Sequence, residues 1–278
     1  MQVPRRDPYL DTVVHIVEAR QARPNLPTDG CPFCVGGLEA PDPYDVKAFP
    51  NRWPALGEGN CEVVLYSPDH DTSFHGLGAS GVRKVIDLWA GRTRALLDRP
   101  GTEYVMVFEN RGAEVGATIS HPHGQIYAFD HTPDRIARMF AAGWSPDGAP
   151  ERLVLANNHW TASTTVAPVF PVSLSVAPRA RVGRLDELDE DRRNALAALL
   201  VGVLLSVDDL FGAPVPYMLW VNQAPRSSAG DEWLNIEIVS PWRGTGVPRF
   251  IAAAEVAGGE YFNPVNPEDL AARLRPST

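Results

Sequence analysis

The sequence predicts an α+β protein built from one unit used twice, with mostly antiparallel sheets and flanking helices. In the first half, short strand-like runs surround one helical run: VKAFPN and CEVVLYS before it, EYVMVFEN and HPHGQIYAF after it. The second half repeats this order with PVSLSVAP, a long amphipathic helix, PYMLWVNQAP and WLNIEIVSP. Laying Asn110 on Asn222 also lays His121 on Trp233 and His123 on Asn235, a single shift of 112 residues. The turn-rich SPDGAPE near residues 145–152 marks the joint. The expected units are therefore 1–148 and 149–278, which suits a chain of 278 residues.

Each element has a local reason. The segment from Arg20 to Pro43 is rich in Pro, Gly and Asp and reads as loop. CEVVLYS and EYVMVFEN are β-rich. From Gly81 to Leu97, the residues Val82, Val85, Ile86, Leu88, Trp89, Leu96 and Leu97 recur at near-helical spacing. The second helix is expected from about Asp189 to Phe211, with the acidic DELDEDRR at its amino end, where the helix dipole favours negative charge. Its apolar run, Ala195 to Val207, is too short for a membrane span and reads as a buried helix. Trp160 follows the joint much as Trp53 marks the first half.

Composition narrows the function. A 44% hydrophobic fraction builds a core, and a net charge of −9 argues against nucleic acid or an anionic membrane surface as partner. The positive charge is mostly Arg, which suits bidentate phosphate contacts. MQVPRRDPYL lacks the apolar core of a signal peptide. Of three cysteines, two form CPFC, which in a reducing compartment reads as metal ligands or a redox pair before a structural disulfide. The expectation is a cytoplasmic protein.

Four motifs carry the chemistry. Cys31 and Cys34 in CPFC form half of a tetrahedral metal site, with His70, His75 and His121 as candidates to complete it; two semi-buried thiols are the plain alternative. In SHPHGQI, His121 and His123 stand at i and i+2, where strand side chains share a face, and Pro122 between them suits an edge strand. A neutral imidazole held at Nδ1 presents Nε2 for attack at phosphorus, and Gln125 offers an amide donor beside it. Gly124 lets a large group approach the backbone. The alternative reading is a polar strand end with two partly exposed histidines. FENRG with GATIS places Asn110, Thr118 and Ser120 in or beside a loop of small residues, a plausible phosphate cradle. Arg20 and Arg23 in RQARP, and Arg243 and Arg249 in WRGTGVPRF, are candidate phosphate clamps or plain surface arginines.

Taken in order, RxxRP, CPFC, NRWPAL, SPDH, FENRG and HPHGQIYAF resemble the galactose-1-phosphate uridylyltransferase family of the histidine-triad superfamily. The resemblance is strong from Arg20 to Phe129 and thinner after Trp160. It implies a duplicated histidine-triad-like fold, a homodimer, and ping-pong nucleotidyl transfer through a covalent nucleotidyl-histidine. By position, His123 would be the nucleophile on the α-phosphorus of UDP-glucose and Gln125 would bind the phosphoryl group. Asn110 would contact the phosphates, Asn51 and Trp53 the uridine, and Arg20 and Arg23 the sugar-linked phosphate. Cys31, Cys34, His70 and His121 would hold a structural zinc. Glu255 matches a glutamate used for sugar hydroxyls, and Tyr261 stands near where some members have Gln. Members with a second metal site build it around histidines that are Asn222, Trp233 and Asn235 here, so no second metal is expected. The run before HPHGQ, Ala117 to Ser120, also departs from the usual pattern.

The expected function is transfer of UMP from UDP-glucose to a sugar 1-phosphate, galactose 1-phosphate by default. The alternatives keep the chemistry with another donor, such as UTP or ADP-glucose, or another sugar 1-phosphate. Others are a catalytically silent nucleotide-sugar-binding protein and a zinc-stabilised interaction module.

Overall fold

Alternation of apolar and polar residues along the strands sets up two faces, and a computed structural model, describing residues 4–22 and 30–276, shows how they are used. A small ribbon of β1 (Arg5–Arg6) and β2 (Val13–Val14) comes first. The first unit then runs β3 (Lys47–Pro50), β4 (Cys61–Leu65), α1 (Gly78–Leu97), β5 (Tyr104–Arg111), β6 (His123–Phe129) and α2 (Asp134–Ala141). The second runs β7 (Leu153–Ala156), β8 (Trp160–Thr164), β9 (Val172–Pro178), α3 (Glu190–Phe211), β10 (Tyr217–Asn222) and β11 (Asn235–Ser240). A short ribbon, β12 (Trp242–Gly244) with β13 (Val247–Pro248), leads to α4 (Ala253–Gly258) and α5 (Pro267–Leu274).

The halves share one nine-stranded sheet in the order β3-β4-β6-β5-β10-β11-β9-β8-β7. Every pairing in it is antiparallel, so no parallel component interrupts the ladder. The order is mirrored about the β5–β10 pair, where Phe108 lies opposite Trp220. The 112-residue shift is a register, not only a likeness of order. It carries the pair Phe108↔Gln125 onto Trp220↔Glu237, and Val64↔Gly124 onto Val176↔Ile236.

Both long helices cover one face of the sheet. From α1, Val82, Val85, Ile86, Trp89 and Leu96 are buried; from α3, Leu196, Leu200, Val203, Leu204 and Val207 join them in one core. Asp189 caps α3, its side chain accepting the Arg192 N–H at 2.8 Å. The apolar run that looked too short to span a membrane belongs to a 22-residue helix that is long and apolar enough by length and composition. That helix packs against α1 and the strands.

The opposite face carries the site. Along β6, Gly124, Ile126 and Ala128 point into the core, while His123, Gln125, Tyr127 and Phe129 are half-buried on the other side. There Phe33 of the CPFC loop packs on Val63 and Leu65 of β4, with Phe49 and Tyr44 alongside. This second, small apolar cluster seats the loop beside His123.

Candidate active site

The strand begins at His123, so His121 and Pro122 precede it. The expected edge strand is instead interior, between β4 and β5, and Pro122 keeps its role by standing outside the ladder. Its carbonyl accepts the Tyr66 N–H at 3.2 Å, tying the entry of β6 to the exit of β4. The two histidines therefore part company: His121 is fully buried, whereas His123 is half-buried on the open face.

His123 is held in one tautomer. Its Nδ1 lies 2.8 Å from the carbonyl oxygen of His121, which accepts the ring N–H and makes Nε2 the basic nitrogen. The ring packs on Phe33 at a centroid distance of 5.0 Å. Gln125 follows on the same face. Asn51 donates its amide to Gln125 Oε1 at 3.3 Å, while its own oxygen accepts the Trp53 N–H at 2.8 Å. With its oxygen taken by Asn51, the NH2 end of Gln125 is the donor available to a ligand. Continuing the Phe108↔Gln125 register by two residues sets Asn110 beside His123.

Cys31, Cys34, His70 and His121 form the second assembly, their ligand atoms all within 4.8 Å of one another. Cys34 Sγ is 3.4 Å from His70 Nδ1 and 3.7 Å from His121 Nδ1. A tetrahedral ion with sulfur and nitrogen ligands sets such edges at roughly 3.6 Å. Each histidine offers Nδ1 to the cluster and Nε2 to an outer partner, as metal-bound imidazoles do. His121 Nε2 lies 2.7 Å from Ser67 O and 2.9 Å from Tyr44 Oη, and His70 Nε2 lies 3.1 Å from Ser120 Oγ. Burial keeps His121 below its usual range, in the neutral form a cation needs. Burial, and then Cys31, push the Cys34 thiol up, a cost that a bound cation would reverse. Burial likewise pushes Tyr44 up to about 12, so it stays a phenol. These residues fit a metal ion. His75, the remaining candidate, points elsewhere and pairs with Asp208 at 3.3 Å.

The other expected residues divide. Arg20 and Trp53 line a cavity of about 960 Å3 together with Arg52, Arg99, Phe129 and His131. Thr118 is half-buried in the loop before His121, and Ser120 touches His70. Arg23 lies outside the described residues. Arg249 and Glu255 form a buried ion pair, and the Ala252 and Phe262 N–H groups also donate to that carboxylate. Those backbone donors hold Glu255 below its usual range. The positions matching Asn110, His123 and Gln125 in the second unit are Asn222, Asn235 and Glu237. Asn222 donates to Asn235 at 2.7 Å and to Glu237 at 2.8 Å, and Arg135 of α2 closes on Glu237 at 2.8 Å. Sequence reasoning missed Tyr44, Phe33 and Tyr66. Nothing in PDPYD marks Tyr44, which touches the cluster from 77 residues before His121.

Residues 41–133 match the family described as Galactose-1-phosphate uridyl transferase, N-terminal domain, and residues 121–260 match its C-terminal domain. The galactose-1-phosphate uridylyltransferase of Thermotoga maritima is 33% identical, covering 98% of this chain and 97% of that protein. This chain belongs to the galactose-1-phosphate uridylyltransferase family. Within the family, the protein of the same name from Streptomyces lividans is 36% identical over 98% of this chain and 86% of its own length. A solved uridylyltransferase superposes with a TM-score of 0.88 at 25% identity, covering 98% of this chain and 96% of that one. An Arabidopsis thaliana ADP-glucose phosphorylase with bound ADP-glucose shares the fold at a TM-score of 0.78 and 22% identity, over 99% and 98% of the two chains. Membership makes the protein a transferase, of the kind that handles hexose 1-phosphates and nucleotidyl groups.

Proposed function

We propose that this chain moves UMP from UDP-glucose to a sugar 1-phosphate, galactose 1-phosphate by default, through a covalent uridylyl-His123. Nε2 attacks the α-phosphorus, a P–N bond forms, and the bridging P–O bond breaks to release glucose 1-phosphate. The incoming sugar 1-phosphate oxygen then attacks the same phosphorus, the P–N bond breaks, and the UDP-sugar leaves. The ring gains positive charge in the first step, and the His121 carbonyl on the Nδ1–H stabilises it. Gln125 donates to the phosphoryl oxygens as negative charge builds there.

The observation that carries this reading is the 2.8 Å contact between His123 Nδ1 and the His121 carbonyl, on a sheet face that also presents Gln125. The Trp53 cavity opens further along β6, at Ala128 and Phe129; it is large enough for a nucleoside, and Arg20 brings it a cation. Zinc is the ion we assign to the Cys2His2 cluster, on ligand type and spacing. We also expect the working form to be a homodimer, which the exposed Phe250, Val256 and Phe262 support as an apolar contact surface.

Intact mass after separate incubation with UDP-glucose, UTP and ADP-glucose tests the reading. A single uridylyl increment with UDP-glucose, absent from His123→Ala, is the expected result. An adenylyl increment would reassign the donor, and no increment with any donor would sink the covalent mechanism.

A further inference from the structure

We infer that Glu109 is a positioning residue for the transfer step: from behind the sheet it holds the Tyr66 phenol under Gly124, and so fixes the backbone between His123 and Gln125. The inference rests on the nucleotidyl-transfer reading above.

The FENRG run has two sides. Phe108 and Asn110 face the chemistry, whereas the next side chains in the alternation, Glu109 and Arg111, face the helices. Glu109 is 4% exposed. The Tyr217 hydroxyl donates to its Oε1 at 2.8 Å. Its Oε2, the Tyr66 oxygen and Trp89 Nε1 are all buried without a hydrogen-bond partner among the described residues. After burial itself, the Glu109 charge is the strongest influence on Tyr66. Continuing the Phe108↔Gln125 register by one residue sets Glu109 across from Gly124, where the phenol lies, and Trp89 and Tyr217 are the other polar side chains that act on it.

The position of that head matters because of Gly124. A Cβ at Gly124 would fall on the Tyr66 phenol oxygen, and would lie 2.9 Å from its ring carbon Cζ and 3.0 Å from Phe108 O. The phenol occupies the space that any side chain at 124 would fill. The Tyr66 N–H also bonds the Pro122 carbonyl. Tyr66 thus grips β6 on both sides of His123, at Pro122 through its backbone and at Gly124 through its ring.

A carboxyl is a costly way to fill this space, since Leu or Met would occupy it without desolvating a charge. Burial pushes Glu109 up to about 7. The groups facing it are Tyr66, Trp89 of α1, Tyr217 of β10 and Arg111 of β5. Behind Arg111 stand Asp208 and His75. A protonated Glu109 can donate to the phenol oxygen and an ionised one can accept from the phenol, so a small shift of either unpartnered group lets both forms keep the phenol aimed.

The test is single-turnover labelling by UDP-glucose, followed by intact mass, with Glu109→Ala, Glu109→Gln and Tyr66→Phe beside the unsubstituted chain. The plateau counts competent molecules and the rate constant reports positioning, so a partly unfolded variant still yields a rate. Glu109→Ala and Tyr66→Phe should slow labelling on the order of ten- to a hundredfold, the scale of a small misplacement of reacting groups. The donor concentration giving half-maximal rate should move less than about threefold. Glu109→Gln keeps an acceptor for Tyr217 and a donor for Tyr66, and should stay within about threefold of the unsubstituted rate. Unsubstituted rates in both Glu109→Ala and Tyr66→Phe would overturn the inference, as would a Glu109→Gln as slow as Glu109→Ala. Absence of any adduct on the unsubstituted chain would instead remove the reaction, and both readings with it.

Discussion

The carbonyl oxygen of His121 lies 2.8 Å from Nδ1 of His123, while the His121 ring belongs to the Cys31, Cys34 and His70 cluster. One residue thus contributes its side chain to the metal assembly and its backbone to the orientation of the nucleophile. Stripping the metal should release the His121 ring and let that carbonyl wander. We expect chelated protein to form the uridylyl adduct at least about tenfold more slowly, with zinc restoring the rate. Metal content and labelling rate measured on the same samples decide it; a full rate at zero metal would show the cluster to be irrelevant to the chemistry.

Gln125 is held at its oxygen by Asn51, which leaves its NH2 group for the phosphoryl oxygens. Replacing Gln125 by Ala removes a donor aimed at charge that develops in the transition state, and such donors are worth on the order of a hundredfold. Asn51→Ala leaves the donor but loosens its aim, so a smaller loss is expected. Labelling rates at saturating UDP-glucose compare the two, and an Asn51→Ala defect larger than that of Gln125→Ala would contradict this arrangement.

The succession of strands and helices was legible because it rests on local signals: period-two runs, helical spacing, and Asp189 before an apolar helix. The 112-residue repeat proved to be a pairing register because matched hairpins need matched spacing. The joining of both halves into one sheet was not legible. It depends on Phe108 meeting Trp220 across β5 and β10, a contact far apart in sequence with no turn to announce it. In the site, His70 and His121 stood out from His75 because they end or begin strand-like segments, where a ligand is held firmly; the partner of His75, Asp208, appears only on folding. The Glu109 side of FENRG was readable in principle, since alternation places it opposite Asn110. The Arg249–Glu255 pair was not, because it is made by a loop returning on itself.

Gly124 has an ordinary strand conformation, so its requirement is for space. Gly124→Ala should cost about 1–3 kcal/mol, the usual scale of overpacking. It should also slow labelling, because relief comes only by moving Tyr66 or β6. Tyr66→Phe in the same chain should recover only part of the lost stability, since Cζ and Phe108 O remain at 2.9 and 3.0 Å. Denaturant unfolding of the two single variants and the double one checks this, and full recovery in the double variant would show that Phe108 O does not matter.

Glu109 should also appear in the pH dependence of stability. Its ordinary value is 4.5, and burial raises it to about 7 in the folded protein. Between those values the folded chain binds a proton that the unfolded chain has released, so stability is lost as pH rises through that window. A gap of this size corresponds to roughly 3 kcal/mol, complete by about pH 7 and unchanged above it. Glu109→Gln cannot titrate and should not show this loss. The unfolding free energy of the unsubstituted chain minus that of Glu109→Gln should therefore fall between pH 4.5 and 7, then level off. Other carboxylates and histidines titrate in both proteins and cancel in that difference. A difference that is flat, or that grows with pH, would mean that the Tyr217 and Arg111 contacts outweigh burial and hold the carboxyl ionised.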